Sequence, residues 1–457
     1  MKIKIFFAIL ACKLTKQALR ILKRGGTALP GKVALGICPN LLKHLAKDVR
    51  CAVITGTNGK TTSARMLEQF YKDSAMSYIT NKSGSNLLRG IAAEFALNAT
   101  LKGKPKRENA IIEFDEAASK KVFEQMNPAV VLVTNVFSDQ LDRYGTIDSI
   151  LENIKIGINN SPNAVICLNA DDPLTSSIAM DIENEVAFFG IGRGLNENYI
   201  EEPSDAENCV RCKTVYEYDY RTYGHLGSFR CPSCGYARVR ADVSVEEIIE
   251  SGEDSQTIKL CTHGEEFIIT INQPGGYNIY NAAGVITAAI ALGFSKEAAK
   301  EAMAHFEGGF GRMEKFDLNG LPVRMILAKN TVGYNRTITY LCSLSGNALI
   351  ALSLNDRIAD GTDVSWIKDV HFEKLHELDK RLKGIFLSGT RARDLKDCLL
   401  RVGFNQDSIQ MFDDQHAMID AAVSQEAPVY IIPSYTAMLD IRSMLARKFG
   451  LKEYWEL

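Results

Sequence analysis

One stretch constrains the fold of this chain more than any other. It is Val53-Ile54-Thr55-Gly56-Thr57-Asn58-Gly59-Lys60-Thr61-Thr62, an apolar run that enters a glycine-rich turn and then a helix. Backbone N–H groups at such a turn and at the helix N-terminus bind phosphate. Lys60 can reach the β- and γ-phosphates of a nucleotide, and the Thr61 hydroxyl can ligate Mg²⁺. The strict P-loop spacing requires glycine at the position of Ile54. We therefore predict a variant nucleotide loop, rather than an ordinary glycine turn, formed by Gly56, Thr57, Asn58, Gly59, Lys60, Thr61 and Thr62.

The rest of the chain alternates short apolar runs with helical segments, which predicts parallel sheets joined by right-handed crossovers. The alternation is interrupted at residues 205–240, which we interpret as an insertion. A second alternation begins after the glycine-rich junction at residues 308–312. We expect an α/β protein with three parts: a lead segment at 1–48, a central ATP-binding domain at 49–312, and a Rossmann-like α/β domain at 313–457.

Composition and charge exclude several classes of protein. Hydrophobic residues make up 46% of the 457 residues, which rules out a disordered or collagen-like chain. The 53 basic and 55 acidic residues give a net charge of −2, so no general basic field attracts nucleic acid.

An acidic residue ends the apolar run beside the predicted loop. Carboxylates in this position commonly hold the Mg²⁺ of a bound nucleotide. Glu113 is the best candidate, together with Thr61; the alternative is a solvated acidic helix start. The polar segment from Asn135 to Tyr144 also follows an apolar run and is expected to line the ligand crevice at the carboxyl edge of the sheet.

Four of the eleven cysteines form two pairs, Cys209-Val-Arg-Cys212 and Cys231-Pro-Ser-Cys234, with 18 residues between them. This spacing is typical of a zinc ribbon. A closed Cys₄ site leaves no open coordination position, so we predict a structural Zn²⁺ rather than a catalytic one; the alternative is two reduced pairs without metal. The seven scattered cysteines suit free core thiols in a reducing cytosol.

The lead segment contains no apolar run long enough to span a membrane and no secretory cleavage pattern. Residues 6–23 form an amphipathic pattern with a basic edge. We expect a helix packed on the body of the protein, and a helix touching the inner face of the membrane is the alternative.

Taken in order, these motifs resemble the Mur ligase superfamily, whose members form amide bonds through ATP and an acyl phosphate. The nucleotide loop resembles the ATP loop of that family. The segment Tyr277–Ala283 resembles its adenine-contacting segment, and Gly311–Glu314 its junction to the third domain. The resemblance implies nucleotide contacts at Asn278, Asn281 and Arg312.

Two places depart from the Mur pattern, and the role of a third residue is open. Gln140 stands where those ligases carry a metal-binding histidine, and the segment around Lys329 lacks their aspartates. Lys155 falls where they carry a lysine that becomes carbamylated, although a lysine on an amphipathic helix is usually just solvated. These departures count against the usual amino-acid-binding chemistry of the family.

Three features are similar to those of the MurT family, the synthetase subunits of lipid II isoglutaminyl synthase. They are the Cys₄ insertion, the short lead segment and the stretch Asn355–Trp366. The partner subunit of that family, GatD, is a glutamine amidotransferase. The resemblance implies that an aspartate of this stretch orients the catalytic histidine of the partner. We favour Asp356, then Asp360 and Asp363; the alternative is an acidic surface loop anchored by Trp366.

The resemblance implies ATP-dependent amidation of the D-glutamate α-carboxylate in the lipid II stem peptide, in the cytoplasm. Lys60 and Glu113 would serve the acyl-phosphate step, and ammonia would come from the partner. Two alternatives remain open at this point: a stand-alone amino-acid ligase of the Mur or folylpolyglutamate kind, and a zinc-ribbon nucleic-acid binder.

Overall fold

The structure is a computed structural model that describes residues 2–22, 28–81, 86–137, 146–192, 204–308, 311–318 and 320–450. It contains two compact units. The first comprises Met1–Ser251, Ser255–Asn272 and Gly276–Phe306, and the second comprises Gly252–Asp254, Gln273–Gly275 and Glu307–Leu457. The main boundary between the units thus falls at Glu307.

The first unit is built on a nine-stranded sheet. Its strands are β1 Arg50–Thr55, β2 Tyr78–Thr80, β3 Asn109–Glu113, β4 Val130–Val133, β5 Val165–Asn169, β6 Val186–Ile191, β9 Val243–Ser251, β10 Gln256–Thr262 and β11 Glu265–Ile271. Their spatial order is β11-β10-β9-β6-β5-β4-β1-β3-β2. All pairings from β2 to β9 are parallel, and β10 and β11 continue the sheet as antiparallel strands. The predicted parallel sheet is therefore confirmed.

The central strands carry almost unbroken apolar runs because helices cover both faces of a parallel sheet. The helices of this unit are α1 Lys2–Ile21, α2 Ala28–Ile37, α3 Leu41–Leu45, α4 Lys60–Asp73, α5 Leu88–Leu97, α6 Ser119–Phe123, α7 Ile147–Asn159, α8 Pro173–Ser177, α9 Gly276–Ala291 and α10 Lys296–His305. A separate two-stranded sheet, β7 Glu217–Tyr223 and β8 Leu226–Arg230, lies in the segment that connects β6 to β9.

The lead segment packs on this unit through three helices. α1 buries Ala8, Ile9 and Cys12 and contacts α2 and α5. α2 approaches α5 so closely that a Cβ at Gly31 would lie 1.7 Å from the backbone oxygen of Arg89. No helix in the described part of the chain is long and apolar enough to cross a membrane.

The second unit has a six-stranded sheet in the order β12-β13-β17-β14-β15-β16, parallel except for the β12–β13 hairpin. Apolar clusters fill both faces of this sheet, as expected of a Rossmann-like layer architecture. The strands are β12 Arg312–Leu318, β13 Leu321–Ile326, β14 Ala348–Ser353, β15 Leu382–Ser388, β16 Ile409–Met411 and β17 Val429–Pro433, and the helices are α11 Thr331–Ser343, α12 Ala392–Arg401, α13 Gln415–Val423 and α14 Tyr435–Phe449.

Candidate functional site

The turn between β1 and α4 has a backbone shape that requires glycine at two positions. Gly56 has φ of 119° and Gly59 has φ of 87°, both in the region that side chains disfavour. A Cβ on Gly56 would lie 2.4 Å from Thr134 Oγ1, and a Cβ on Gly59 would lie 2.1 Å from Asn281 Oδ1. The turn follows the end of β1, which lies between β3 and β4 in the sheet. It is therefore at the carboxyl edge of the parallel strands, where ligands bind in such folds.

The residues that follow β4 hold this turn in place. The Asn58 N–H donates to Asn135 Oδ1 at 3.0 Å, and Asn135 Nδ2 donates back to the Asn58 carbonyl at 3.0 Å. The Thr134 hydroxyl also donates to that carbonyl, at 2.8 Å. The Phe137 N–H donates to Thr57 Oγ1 at 2.9 Å. The loop is therefore preorganised, and Asn135 acts by positioning it.

Lys60 begins α4 and points its ammonium back across the turn. It donates to the carbonyls of Gly56 and Thr57, the second at 3.2 Å, and forms an ion pair with Glu116 Oε2 at 3.1 Å. The sequence motif contained Glu116, but its spacing gave no sign that this carboxylate, rather than Glu113, would meet the lysine.

Glu113 ends β3 and is buried. The parallel register pairs it with Ile54, so it stands one strand away from the start of the loop. The Asn81 side chain makes two hydrogen bonds with the Glu113 backbone. Asn81 Nδ2 donates to the Glu113 carbonyl oxygen at 2.6 Å, and the Glu113 N–H donates to Asn81 Oδ1 at 3.0 Å. Thr61, the other predicted magnesium ligand, is the second residue of α4.

The predicted adenine segment lies in α9, against the loop. Asn281 places its side-chain oxygen over Gly59 and donates from Nδ2 to Asn278 Oδ1 at 3.0 Å. Arg312 starts β12 in the second unit, and its side chain lies outside the described residues. The segment 138–145, which includes Gln140, lies outside them as well.

Two adjacent carboxylates follow β5 and are fully buried. Asp172 accepts hydrogen bonds from the N–H groups of Val136 and Leu174, both at 2.9 Å, and from the Thr175 hydroxyl. His225 Nε2 lies 3.2 Å from Asp172 Oδ1. Burial alone would raise the pKa of Asp172, but His225 and these hydrogen bonds bring it below its usual range.

Asp171 ties three further elements together. It accepts from Arg238 Nε at 2.7 Å, from the Tyr280 hydroxyl at 2.7 Å and from the Ile191 N–H at 2.9 Å. Burial keeps the pKa of Asp171 above its usual value despite the lowering effect of Arg238. Since His225 and Arg238 come from the segment between β6 and β9, that segment is docked on the sheet through both carboxylates, a role that sequence reasoning missed.

The four paired cysteines converge in space. The Sγ atoms of Cys209, Cys212, Cys231 and Cys234 all lie within 4.8 Å of one another. The Arg211 N–H donates to Cys209 Sγ at 3.4 Å, and the Cys234 N–H donates to Cys231 Sγ at 3.5 Å. Hydrogen bonds from Thr214 lower the pKa of Cys212 to about 6. This donor set fits a soft divalent metal ion bound by thiolates.

The three aspartates predicted in the second unit have separate partners. Asp356 accepts from the Thr390 hydroxyl at 2.8 Å and pairs with Arg391 at 3.0 Å, and both contacts lower its pKa. Asp360 accepts from the N–H and hydroxyl of Thr436 at the start of α14, at 2.7 and 2.5 Å. Asp363 accepts from the Ser365 N–H at 2.8 Å.

Asp360 therefore binds the start of α14, 76 residues further along the chain, and Asp363 completes a local turn, whereas Asp356 stands on the loop after β14. That loop borders a cleft of about 710 Å³ at the carboxyl ends of β14, β15 and β16, and Asn355, Arg357 and Thr390 line one side of it. Trp366 packs on Tyr334, with ring centroids 5.5 Å apart, and so anchors the end of the stretch in the core.

Comparison with known proteins gives two family matches: residues 54–227 match the Mur ligase middle domain, and residues 327–438 match the MurT ligase C-terminal domain. The MurT subunit of glutamine-hydrolyzing lipid II isoglutaminyl synthase from Staphylococcus aureus (strain COL) is 31% identical over 97% of this chain and 98% of its own length. The corresponding subunit of Streptococcus pneumoniae (strain ATCC BAA-255 / R6) is 31% identical over 98% of both chains. This chain belongs to the MurT family.

The MurT chain shares its fold with solved Mur-type ligases. A pseudomurein peptide ligase type C from Methanothermus fervidus superimposes with a TM-score of 0.65 at 20% identity, covering 89% of this chain and 80% of that one. MurF ligase from Thermotoga maritima in complex with ADP superimposes with a TM-score of 0.63 at 15% identity, covering 92% of this chain and 84% of that one. The predicted resemblance and the Mur ligase-like α/β fold are both confirmed.

Asp172→Asn should lower the free energy of unfolding by about 1–3 kcal/mol for each buried donor left unsatisfied, because an amide nitrogen cannot accept the hydrogen bonds that Val136, Leu174 and Thr175 donate to the carboxylate. Urea unfolding followed by fluorescence measures this loss. Asp181→Asn, which breaks the exposed ion pair with Lys155, is the matched control and should change stability by no more than about 1 kcal/mol.

The pH dependence supplies a second check on Asp172. Its pKa is lower in the folded chain than in the unfolded one, so its contribution is complete above the unfolded value of about 3.9 and is lost as the pH falls through the folded value. The stability difference between wild type and Asp172→Asn should therefore shrink at acidic pH. A difference that stays constant down to the acid unfolding transition contradicts this role.

Proposed function

We propose that this MurT chain is the ATP-dependent synthetase subunit of a lipid II isoglutaminyl synthase. It would convert the α-carboxylate of D-glutamate in the lipid II stem peptide into the amide, leaving D-isoglutamine. The observation that carries the proposal is the 31% identity to curated MurT subunits over 97% of the chain. The preorganised loop between β1 and α4 supplies the chemical reason.

The first step makes the carboxylate reactive. A carboxylate oxygen of D-glutamate attacks the γ-phosphorus of ATP, ADP leaves, and an acyl phosphate forms. Backbone N–H groups of Gly56–Thr62 would hold the phosphates, and Lys60 would neutralise the charge that develops on them. Lys60 exchanges its ion pair with Glu116 for the phosphates, so Glu116 holds the lysine in position until nucleotide binds.

Mg²⁺, when bound, neutralises charge on the phosphoryl group, and Thr61 and Glu113 are the residues that would hold it. The oxygen donors of these two side chains suit that ion. Asn278 and Asn281 are the proposed adenine contacts, as the resemblance of their segment to the Mur ligases implies, and Asn281 lies directly over Gly59 of the loop.

In the second step, ammonia attacks the acyl carbon, phosphate leaves, and one proton is released from nitrogen. We infer that the ammonia comes from a glutamine amidotransferase subunit of the GatD kind. The name of the relatives specifies glutamine hydrolysis. Asp356 is the proposed contact with the catalytic histidine of that subunit, because Asp360 is bound to the start of α14 and Asp363 completes a local turn.

The cysteine cluster is proposed to hold one structural Zn²⁺. Four thiolates in a closed set leave no position for substrate. ATP as phosphoryl donor and eleven free cysteines are consistent with a reducing, cytoplasmic location.

The alternative of a nucleic-acid binder loses support at the insertion. Arg238 pairs with Asp171, Arg230 pairs with Glu217 at 2.7 Å, and the Arg221 guanidinium lies 4.0 Å from the centre of the Tyr218 ring. Arg238 is therefore engaged in a largely buried ion pair, whereas the ion pair of Arg230 lies at the surface. The amino-acid ligase alternative remains, because the structural neighbours include MurF and MurC ligases.

The direct test compares acceptors. The purified chain with ATP, Mg²⁺ and lipid II should release ADP and form D-isoglutamine when ammonium is supplied, as detected by mass spectrometry of the stem peptide. Product formation with an amino acid, but not with ammonium, would establish the amino-acid ligase instead.

Lys60→Ala should lower amidation by about 10²–10³-fold with ammonium and with glutamine alike, because one charge-stabilising donor is lost from the phosphoryl-transfer site. The readout is the rate of ADP release together with D-isoglutamine formation. Lys72→Ala removes an exposed lysine from the same helix and should leave the rate unchanged. Near wild-type turnover in Lys60→Ala would refute the assignment of the loop.

Cys209→Ser should remove about one Zn²⁺ per chain and destabilise the insertion, since structural zinc contributes folding free energy directly. Elemental analysis of the purified protein measures the metal content. Cys261→Ser changes a cysteine of β10 that lies outside the cluster and should retain the metal. Zinc-free wild-type protein, or full zinc in Cys209→Ser, would disprove the site.

Asp356→Asn, assayed in the complex with the glutaminase subunit, should lower the glutamine-driven rate by about 10²–10⁴-fold, because a carboxylate that orients a histidine sets its tautomer. The ammonium-driven rate should largely persist, since acyl-phosphate formation does not use this side chain. Asp363→Asn is the control on the same stretch. Equal loss of both rates in Asp356→Asn would place this residue in the synthetase site or in the fold.

A further inference from the structure

Helix α1 is apolar on two opposite faces. One face is buried on the first unit through Ala8, Ile9 and Cys12. At 100° per residue, a second apolar row falls on the opposite side of the helix. Its members Ile3, Phe7, Leu14 and Ile21 are 73%, 53%, 57% and 75% exposed.

This pattern differs from that of an ordinary surface helix, which turns a polar face to water. Single exposed apolar residues are normal, but a row that continues over five turns indicates a contact surface. The row extends at the C-terminal end of α1 to Leu22, which is 66% exposed. The neighbouring α2 exposes Leu29 and Ile37. We call the five residues of the first helix and its end, Ile3, Phe7, Leu14, Ile21 and Leu22, the N-terminal apolar surface.

The charge around this surface has one sign. The chain as a whole carries a net charge of −2, yet the first acidic residue is Asp48. Lys2, Lys4 and Arg20 of α1 and Lys32 of α2 are exposed beside the apolar row. Ten basic residues precede Asp48: Lys2, Lys4, Lys13, Lys16, Arg20, Lys23, Arg24, Lys32, Lys43 and Lys47.

We propose that the N-terminal apolar surface docks this chain on an anionic lipid bilayer, with α1 lying in the interfacial plane. An apolar row bordered by Lys and Arg, with no acidic residue, matches the chemistry of such a surface: the apolar side chains enter the acyl boundary and the cations meet anionic head groups. This docking goes beyond the proposed function and does not depend on it.

A second copy of the chain fits the surface less well. Pairing two such surfaces would bring the basic residues of α1 and α2 together, and neither helix carries an acidic residue to compensate. Like charges facing each other weaken an interface. A membrane supplies negative charge across the whole contact.

The experiment is cosedimentation of the full chain with vesicles that contain no lipid II. Vesicles of phosphatidylcholine mixed with phosphatidylglycerol should bind the chain, and vesicles of phosphatidylcholine alone should bind it at least about tenfold more weakly. Ile3→Gln/Phe7→Gln/Leu14→Gln should weaken binding to the anionic vesicles at least about tenfold, because three side chains no longer enter the acyl boundary.

A matched control changes three apolar residues of the same unit with comparable exposure: Met180→Gln/Ile249→Gln/Ile268→Gln, originally 45%, 46% and 51% exposed. This control should bind like wild type. Lys2→Gln/Lys4→Gln/Arg20→Gln should lose the preference for anionic vesicles. Circular dichroism of each variant should match wild type, because the changed side chains are exposed.

Four results would overturn the proposal. They are a wild-type chain that ignores anionic vesicles, equal binding by the α1 variant and wild type, an equal loss in the matched control, and unfolding of the α1 variant. Light scattering adds a fifth: a wild-type dimer that becomes monomeric in the α1 variant would assign the surface to a second copy. Because the vesicles lack substrate, these outcomes are independent of the amidation assay.

Discussion

Two adjacent buried carboxylates, Asp171 and Asp172, hold together much of what surrounds the nucleotide loop. A buried carboxylate without partners costs several kcal/mol, so each of these must be satisfied inside the protein. Their partners come from distant segments: His225 and Arg238 from the cysteine-containing insertion, and Tyr280 from α9. The insertion is thereby an integral part of the first unit.

The same constraint extends to the nucleotide loop. Tyr280 stands between Asn278 and Asn281, and Asn281 lies over Gly59. Asp172 accepts a hydrogen bond from the Val136 N–H. The residue before Val136 is Asn135, whose side chain accepts a hydrogen bond from the Asn58 N–H. One connected set of contacts therefore links the insertion, the end of β5, α9 and the turn between β1 and α4, so the protein itself holds the backbone of that turn in place.

The features that could be predicted from the sequence are those formed by residues close together in the chain. The strand, glycine turn and helix around Lys60 are consecutive in the chain, so their geometry follows from φ preferences and helix dipoles. The two C-x-x-C pairs predicted a cluster that the structure brings within 4.8 Å, because each pair forms its own turn. Long-range pairing was not accessible: Lys60 and Glu116 are 56 residues apart, and Asp171 and Arg238 are 67 residues apart.

The aspartates after β14 illustrate the same division. Their spacing suggested three equivalent candidates, and only the packing of α14 and the β15 loop gave each its own partner, Thr436 for Asp360 and Thr390 for Asp356. The sequence by itself determined the nucleotide loop, the cysteine pairs, the α/β class and the family, since these rest on residue order over short distances. The tertiary structure decided which carboxylate meets which cation and which face of α1 stays exposed, because burial and charge pairing depend on segments that meet only after folding.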